Sequence, residues 1–264
     1  MSTALITGAS GGIGLEIAKL HASKKGNLVL VARSQDKLLA IKKELEQQFS
    51  IQVEVIVKDL TAENAVQEIY DYLKNKNIVI DYLINNAGFG EFGLFTSNLW
   101  EKEKSMMDLN MIALTNLTKL FAPEMQSRRS GKILNIASNA AFQPGPSMAI
   151  YYATKAYVYY FSSALYNELK PNHVSVTSSH PGPVETGFME ASNLHTGNTR
   201  LLKYYPILSA EFVTKESYNA MLKGKRIVIP GFLNKVNAFF SKILPWSIVI
   251  PVTRWLQGSS KPLQ

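Results

Sequence analysis

Cysteine is absent from the 264 residues, which excludes both a disulfide framework and a thiolate metal site, and no metal centre is expected. A membrane-spanning run is missing too. The most apolar stretch, 243–252 (ILPWSIVIPV), carries two prolines and is too short to cross a bilayer. The N-terminal MSTALITGAS has no basic leader region and meets Gly8 almost at once, so it reads as a first strand rather than a signal peptide. These absences point to a soluble cytoplasmic protein. Basic residues outnumber acidic ones, 28 to 20, giving a net charge of +8, but they never cluster beyond pairs such as Lys24-Lys25, Lys42-Lys43 and Arg128-Arg129. That dispersion argues against a nucleic-acid partner and leaves a mild positive field suited to a phosphorylated small molecule.

Apolar, β-branched runs are abundant: Ala4–Thr7, Leu28–Val31, Val53–Val57, Ile78–Ile84, Lys132–Ile136, Val174–Ser178 and Arg226–Ile229. They lack apolar–polar alternation, as strands buried on both faces do. Helical patterns lie between most of them, one opening at Ser34 and another at Thr61, each residue suited to cap a helix. Strand and helix in turn predict a parallel sheet covered on both faces. No linker, repeat or low-complexity segment divides the chain, so 1–264 is expected to be a single domain. Two regions break the rhythm. Residues 185–208 lack periodicity and read as a substrate lid, and 231–264 form an apolar, aromatic C-terminal extension.

The stretch TGASGGIG (7–14) follows the first strand and opens a helix. Glycines at 8, 12 and 14 allow a tight turn, a close approach of backbone N–H groups to a pyrophosphate, and close packing of helix on sheet. The second strand ends in Ala32-Arg33-Ser34 with no carboxylate to grip a ribose 2′-hydroxyl. Arg33 can fork onto a 2′-phosphate and Ser34 can add a hydroxyl, which favours NADP(H) over NAD(H).

Four further stretches accompany these: LINNAGFG (83–90), DLNMIALTN (108–116), ILNIASNAA (133–141) and SSHPGPVETG (178–187). Together with TGASGGIG and YYATK (151–155) they resemble the short-chain dehydrogenase/reductase family over nearly the whole chain. The resemblance implies a Rossmann-type, doubly wound sheet of about seven strands and a cofactor site at Thr7, Gly8, Ser10, Gly12, Ile13 and Gly14. It extends that site to Asp59 and Leu60, to Asn85 with Asn86, Ala87 and Gly88, and to Pro181, Gly182, Val184 and Thr186. It also implies an active-site set of Asn110, Ser138, Tyr151 and Lys155, the last two also touching cofactor. In that set Tyr151 exchanges the proton and Ser138 bonds the reacting oxygen. Lys155 would lower the tyrosine's pKa and hold ribose hydroxyls, and Asn110 would order a relaying water.

Helical phase alone does not separate Tyr151 from Tyr152, since both fall within a turn of Lys155. The family spacing of tyrosine and lysine selects Tyr151 and leaves Tyr152 to pack. The expected activity is an NADP(H)-dependent oxidoreductase acting on a carbonyl or alcohol. The alternative is a cofactor-binding regulatory or assembly protein with vestigial chemistry. Phe89, Phe92, Phe142, Phe188, Met189, Leu201, Leu202, Tyr204 and Tyr205 fall in loops that in this family surround the substrate, which suggests an apolar one. The family also implies a homodimer or homotetramer. In the extension, Phe232, Leu233, Val236, Phe239, Phe240, Ile243 and Leu244 recur every three to four residues, as in an amphipathic helix. Packing on the domain or on a sister subunit is the favoured reading of that face, and peripheral contact with an anionic membrane the less favoured one.

Overall fold

The structure, a computed structural model, describes residues 1–192, 194 and 199–258. Its strands are β1 (Thr3–Thr7), β2 (Asn27–Ala32), β3 (Val53–Val57), β4 (Tyr82–Asn85), β5 (Gly131–Ile136), β6 (Val174–Ser179) and β7 (Ile227–Val228). Its helices are α1 (Gly12–Ser23), α2 (Gln35–Phe49), α3 (Ala65–Asn75), α4 (Trp100–Met107), α5 (Leu114–Ser127) and α6 (Ala149–Leu169). Short α7 (Phe188–Ala191) and α8 (Leu201–Tyr204) precede α9 (Ala210–Leu222), α10 (Phe232–Ile243) and α11 (Trp246–Gln257). A π-helical segment, Asp108–Ala113, joins α4 to α5.

All seven strands pair in parallel in the order β3-β2-β1-β4-β5-β6-β7, the doubly wound arrangement expected from the sequence. The two-residue period of a strand sends neighbours to opposite faces. Ala4, Ile6, Leu28 and Leu30 pack with Ile17 of α1, Leu38 of α2 and Met221 of α9. Leu5, Val29, Val31 and Leu83 pack with Ile69 of α3 and Leu117 and Phe121 of α5 on the other side. Both faces being dry is why the strand runs show no polar alternation. The order reverses between β1 and β4, and the crevice at such a switch point is where α/β sheets bind ligands.

Three local expectations shift. The fourth strand begins at Tyr82 rather than Ile78, because Ile78 closes the preceding helix. Its N–H reaches Leu73 O at 2.9 Å across a left-handed Asn77 (φ 55°), a Schellman-like stop. Thr61 does not cap α3, which starts at Ala65. Thr61 instead donates its N–H (2.9 Å) and its hydroxyl (2.8 Å) to the Asp59 carboxylate. Ser34 does precede α2, yet its side chain makes no capping bond.

The extension folds as α10 and α11, broken at Leu244-Pro245 because the residue before a proline is driven to extended geometry. The spacing correctly marked a helix, but the side facing the body is the opposite one. Asn234, Ala238 and Ser241 are buried, whereas Phe232, Phe239 and Ile243 face outward. Residues 259–264 of the extension, and 193 and 195–198 of the lid segment, lie outside the described residues. Among the described residues no helix is long and apolar enough to cross a membrane, and no group of His, Asp and Glu is placed to hold a metal.

Candidate active site

A cavity of about 510 Å3 opens at the C-terminal ends of β1, β4, β5 and β6. Each strand hands its following turn to the wall: Gly8–Ile13 after β1, Asn86–Gly88 after β4, Ser138 after β5 and Pro181–Val184 after β6. Gly8 (φ 66°) and Gly12 (φ 55°) sit in the left-handed region that glycine enters without strain. A Cβ on Gly12 would come within 2.9 Å of Thr186 Cγ2, and one on Gly14 within 2.4 Å of Gly8 O. The helix α1 behind this turn has neither a side-chain cap nor an acidic residue in its first turn, so its N–H groups remain open to an anion. This bare backbone cradle fits a dinucleotide pyrophosphate.

Thr7 braces the cradle from behind, and Asn86 both braces and lines it. The Thr7 hydroxyl accepts the N–H groups of Asn86 and Ala87, both at 3.0 Å, and Asn86 Nδ2 donates to Thr7 O at 2.9 Å. Deeper in the sheet, Asn85 Nδ2 donates to Asn135 Oδ1 at 2.9 Å.

Ser138, Tyr151 and Lys155 all reach the same cavity. Ser138 is fixed by an N–H from Ala140 to its hydroxyl, 3.1 Å. Tyr151 and Lys155 sit one turn apart on α6, both buried. The Lys155 ammonium donates to Ile136 O at 2.9 Å and lies 5.8 Å from the Tyr151 ring centroid. Burial alone lowers the Lys155 pKa to about 8. Burial likewise pushes the Tyr151 phenol up to about 12, with only a smaller downward pull from its hydrogen bond to Ser138. The expected lowering of the phenol by the lysine is therefore not seen in this structure: loss of water around the phenolate outweighs a cation turned toward a backbone carbonyl.

Asn110 stands behind the wall, in the π-helical segment. Its Nδ2 donates to Phe89 O (3.0 Å) and Thr154 Oγ1 (3.1 Å), and its Oδ1 accepts from Phe89 N (3.2 Å). The side chain thus holds the loop after β4 against α6; a Cβ on Gly88 would touch Asn110 Oδ1 at 2.8 Å and Lys155 Nζ at 3.5 Å. Tyr152 is buried beside Tyr151, and its hydroxyl takes the amide of Gln257 from α11 instead of meeting Ser138.

The structure brings most of the residues expected from the sequence to one place, but not all. Gly8, Ser10, Gly12, Ile13, Asn86, Ala87, Gly88, Pro181, Gly182, Val184 and Thr186 line the cavity. Gly14 packs behind it. Arg33, Ser34, Asp59 and Leu60 lie outside the lining, at and just beyond the ends of β2 and β3, where Arg33 approaches Asp59 at 3.7 Å with its side chain 79% exposed. From the lid segment Phe188, Met189, Leu201 and Tyr205 reach the cavity, while Tyr204 stacks on Trp255. Phe142 instead lies against His180, with ring centroids 4.7 Å apart.

Several residues escaped the sequence reading, among them the lining residues Lys37, Gln143, Met148 and Leu256 and, behind the wall, His180. Lys37, in the first turn of α2, lines the cavity, and only its position three residues after Ser34 could have signalled it. His180 is fully enclosed, and burial drives its pKa down to about 3, so it is neutral. Its Nδ1 lies 3.1 Å from Ser138 O and its Nε2 2.9 Å from Ser178 Oγ, tying the turn that carries Ser138 to β6.

A model of the short chain dehydrogenase family matches residues 2–197. The chain is similar to the very-long-chain 3-oxoacyl-CoA reductase of Bos taurus, 35% identical over 187 residues, which cover 69% of this chain and 59% of the bovine protein. It thus spans about three fifths of that relative's length. Among solved structures it resembles a short-chain dehydrogenase from Sphingobium yanoikuyae in complex with NADPH, at TM-score 0.81 and 28% identity, covering 93% of this chain and 97% of the other. It also resembles the bulky-bulky ketone specific alcohol dehydrogenase of Comamonas testosteroni, at TM-score 0.77 and 27% identity, covering 93% and 95%.

Proposed function

Because the chain belongs to the short-chain dehydrogenase family, we propose that it is an NADP(H)-dependent oxidoreductase interconverting an apolar ketone and its alcohol. The observation that carries this reading is a single cavity walled by the glycine cradle on one side and by Ser138, Tyr151 and Lys155 on the other. Gly8–Ile13 and the N-terminus of α1 would hold the pyrophosphate. Arg33 and Lys37 would flank a 2′-phosphate, with no carboxylate at the end of β2 to oppose it. The similar Sphingobium enzyme, solved with NADPH, supports the same choice. Asn86–Gly88, Pro181, Gly182, Val184 and Thr186 would complete the walls around the ribose and nicotinamide.

When bound, the reduced nicotinamide supplies a hydride to the carbonyl carbon. Tyr151 then gives its phenolic proton to the carbonyl oxygen, and its raised pKa keeps that proton in place at neutral pH. The Ser138 hydroxyl donates to the same oxygen as negative charge gathers there. Lys155 has one N–H committed to Ile136 O, leaving two to hold ribose hydroxyls and, when charged, to stabilise the phenolate. Asn110 keeps the loop after β4 seated against α6, and the relay through an ordered water remains part of this reading.

Met148, Phe188, Met189, Leu194, Leu201 and Leu256 make the substrate side apolar. This suits a bulky or long-chain ketone, in keeping with the names of the similar bovine and Comamonas enzymes. Of the segment 185–208, Phe188, Met189, Leu201 and Tyr205 would form the lid over it. Ile112, Tyr157 and Tyr160, exposed on the π-helical segment and α6, offer the face for a homodimer or homotetramer. NADPH oxidation across a panel of aliphatic, cyclic and 3-oxoacyl ketones tests the proposal. Turnover of an apolar ketone, lost in Tyr151→Phe, is expected; binding of NADPH with no turnover of any member, and no effect of the substitution, would overturn it.

A further inference from the structure

The C-terminal pair of helices is inside out for a helix in water. Its buried side is mostly polar, with Ala238 and Val249 between the polar residues: Asn234 donates to Pro230 O at 2.7 Å, Ser241 bonds Gln143, and Gln257 bonds Tyr152. Lys242 lies 4.5 Å over the Phe142 ring, and Thr199 donates to Leu256 O at 3.0 Å. These contacts fasten α10 and α11 to the body by their polar faces. The opposite side of α10 presents Phe232, Phe239 and Ile243 within about 40° of one another, and α11 presents Val252 and Trp255 with Trp246 at its start, all between 50% and 77% exposed. Solvent-exposed apolar side chains scattered singly are ordinary, but a contiguous set of this kind marks a contact surface.

The charge around it says what the surface meets. No Asp or Glu occurs after Glu216, whereas Lys223, Lys225, Arg226, Lys235, Lys242, Arg254 and Lys261 all do. At about 100° per residue, Lys235 flanks the apolar stripe of α10, and Arg254 is an exposed cation elsewhere on α11, roughly 130° from Val252 and Trp255. Arg200 adds a cation 5.2 Å from the Trp255 ring, and Lys203 neighbours Tyr204, which stacks on the same tryptophan. A second copy docking symmetrically would set these two helices, whose only charged side chains are Lys235, Lys242 and Arg254, against themselves, whereas an anionic bilayer is complementary to them. Apolar and aromatic residues at the centre, with lysine and arginine at the margin, are how interfacial helices lie on lipid.

We propose that α10 and α11 dock the protein, without spanning, on the surface of a bilayer rich in anionic lipid. The same helices border the cavity through Asn237, Leu256 and Gln257. Docking through the outer side of helices whose inner side borders the cavity would keep the cavity close to the lipid, where an apolar ketone would be concentrated; this last consequence alone rests on the function proposed above.

The test is flotation of the full chain with phosphatidylcholine vesicles with and without 30% phosphatidylglycerol, a mixture of about three anionic lipids in ten. The protein should float with the anionic vesicles and weakly or not at all with phosphatidylcholine alone. Combined Phe232→Ser, Phe239→Ser, Ile243→Ser and Trp246→Ser should cut the bound fraction at least about tenfold. Lys235→Glu with Arg254→Glu, which leaves the apolar face and the fold untouched, should do the same. Circular dichroism of both variants shows whether the body is intact. No flotation of the wild type, or flotation unchanged in both variants, overturns the proposal. So does a wild-type oligomer in sedimentation velocity that the serine variant dissociates while no vesicle binding occurs, since the face would then join subunits. None of these readouts depends on turnover, so they stand apart from the oxidoreductase assignment.

Discussion

Replacing Lys155 with methionine should change stability in a way that depends on pH. Lys155 is 5% exposed, and burial lowers its pKa from 10.5 to about 8. The unfolded chain therefore holds this proton more tightly than the folded one, and stability rises with pH between about 8 and 10.5. Below pH 8 the ammonium carries its full cost, ~3 kcal/mol at 1.36 kcal/mol per pH unit. Integrating across the window, that cost falls to roughly 1 kcal/mol by about pH 10. Lys155→Met removes the charge and also the bond to Ile136 O, whose loss costs ~1–3 kcal/mol. The second effect is nearly independent of pH and cancels when two pH values are compared. Urea unfolding of cofactor-free wild type and variant at about pH 7 and 10 should show the wild type gaining ~2 kcal/mol on the variant. An offset that is the same at both pH values would refute the claim that burial holds the Lys155 pKa down.

Other substitutions probe the cofactor cradle. Gly14→Ala would press a Cβ to 2.4 Å from Gly8 O and 2.5 Å from Asn86 Nδ2. It should cost ~1–3 kcal/mol and weaken NADPH binding, whereas Gly11→Ala, with nothing within 4 Å, should leave the stability of the cofactor-free protein unchanged; thermal unfolding with and without NADPH reads both. Arg33→Ala should weaken NADPH at least about tenfold more than NADH in a fluorescence titration, a difference of ~1.4 kcal/mol. Equal losses for the two cofactors would contradict the 2′-phosphate assignment.

The sheet and the cradle were legible in the sequence because each is written locally. Strands buried on both faces must be continuous apolar runs, and a turn that admits a phosphate must lose its side chains, as Gly8 and Gly12 have. What depends on distant packing was not legible. The spacing of Phe232, Phe239 and Ile243 marked a helix, but periodicity cannot tell which side water takes. That was decided by Ser241 and Gln257 finding polar partners in the body, while Asn234 bonds Pro230 O just before the start of its own helix. The Tyr151–Lys155 spacing suggested a lowered phenol pKa, because a sequence shows the neighbouring charge and hides the burial that opposes it. His180 gave no sign of its bonds to Ser138 and Ser178, which exist only once β5 and β6 lie side by side. Tyr151 and Tyr152 were separated by company rather than by helical phase: one meets Ser138 and the other Gln257.

The central claim is that hydride and proton are delivered within this cavity, the proton by Tyr151 and not by its neighbour. It is tested most directly by supplying NADPH deuterated on the transferred face together with a bulky apolar ketone. Mass spectrometry should find deuterium on the carbinol carbon of the alcohol with wild type and with Tyr152→Phe, and at least about a hundredfold less labelled product with Tyr151→Phe. Unlabelled alcohol, or loss of labelled product in Tyr152→Phe with Tyr151→Phe intact, would contradict it.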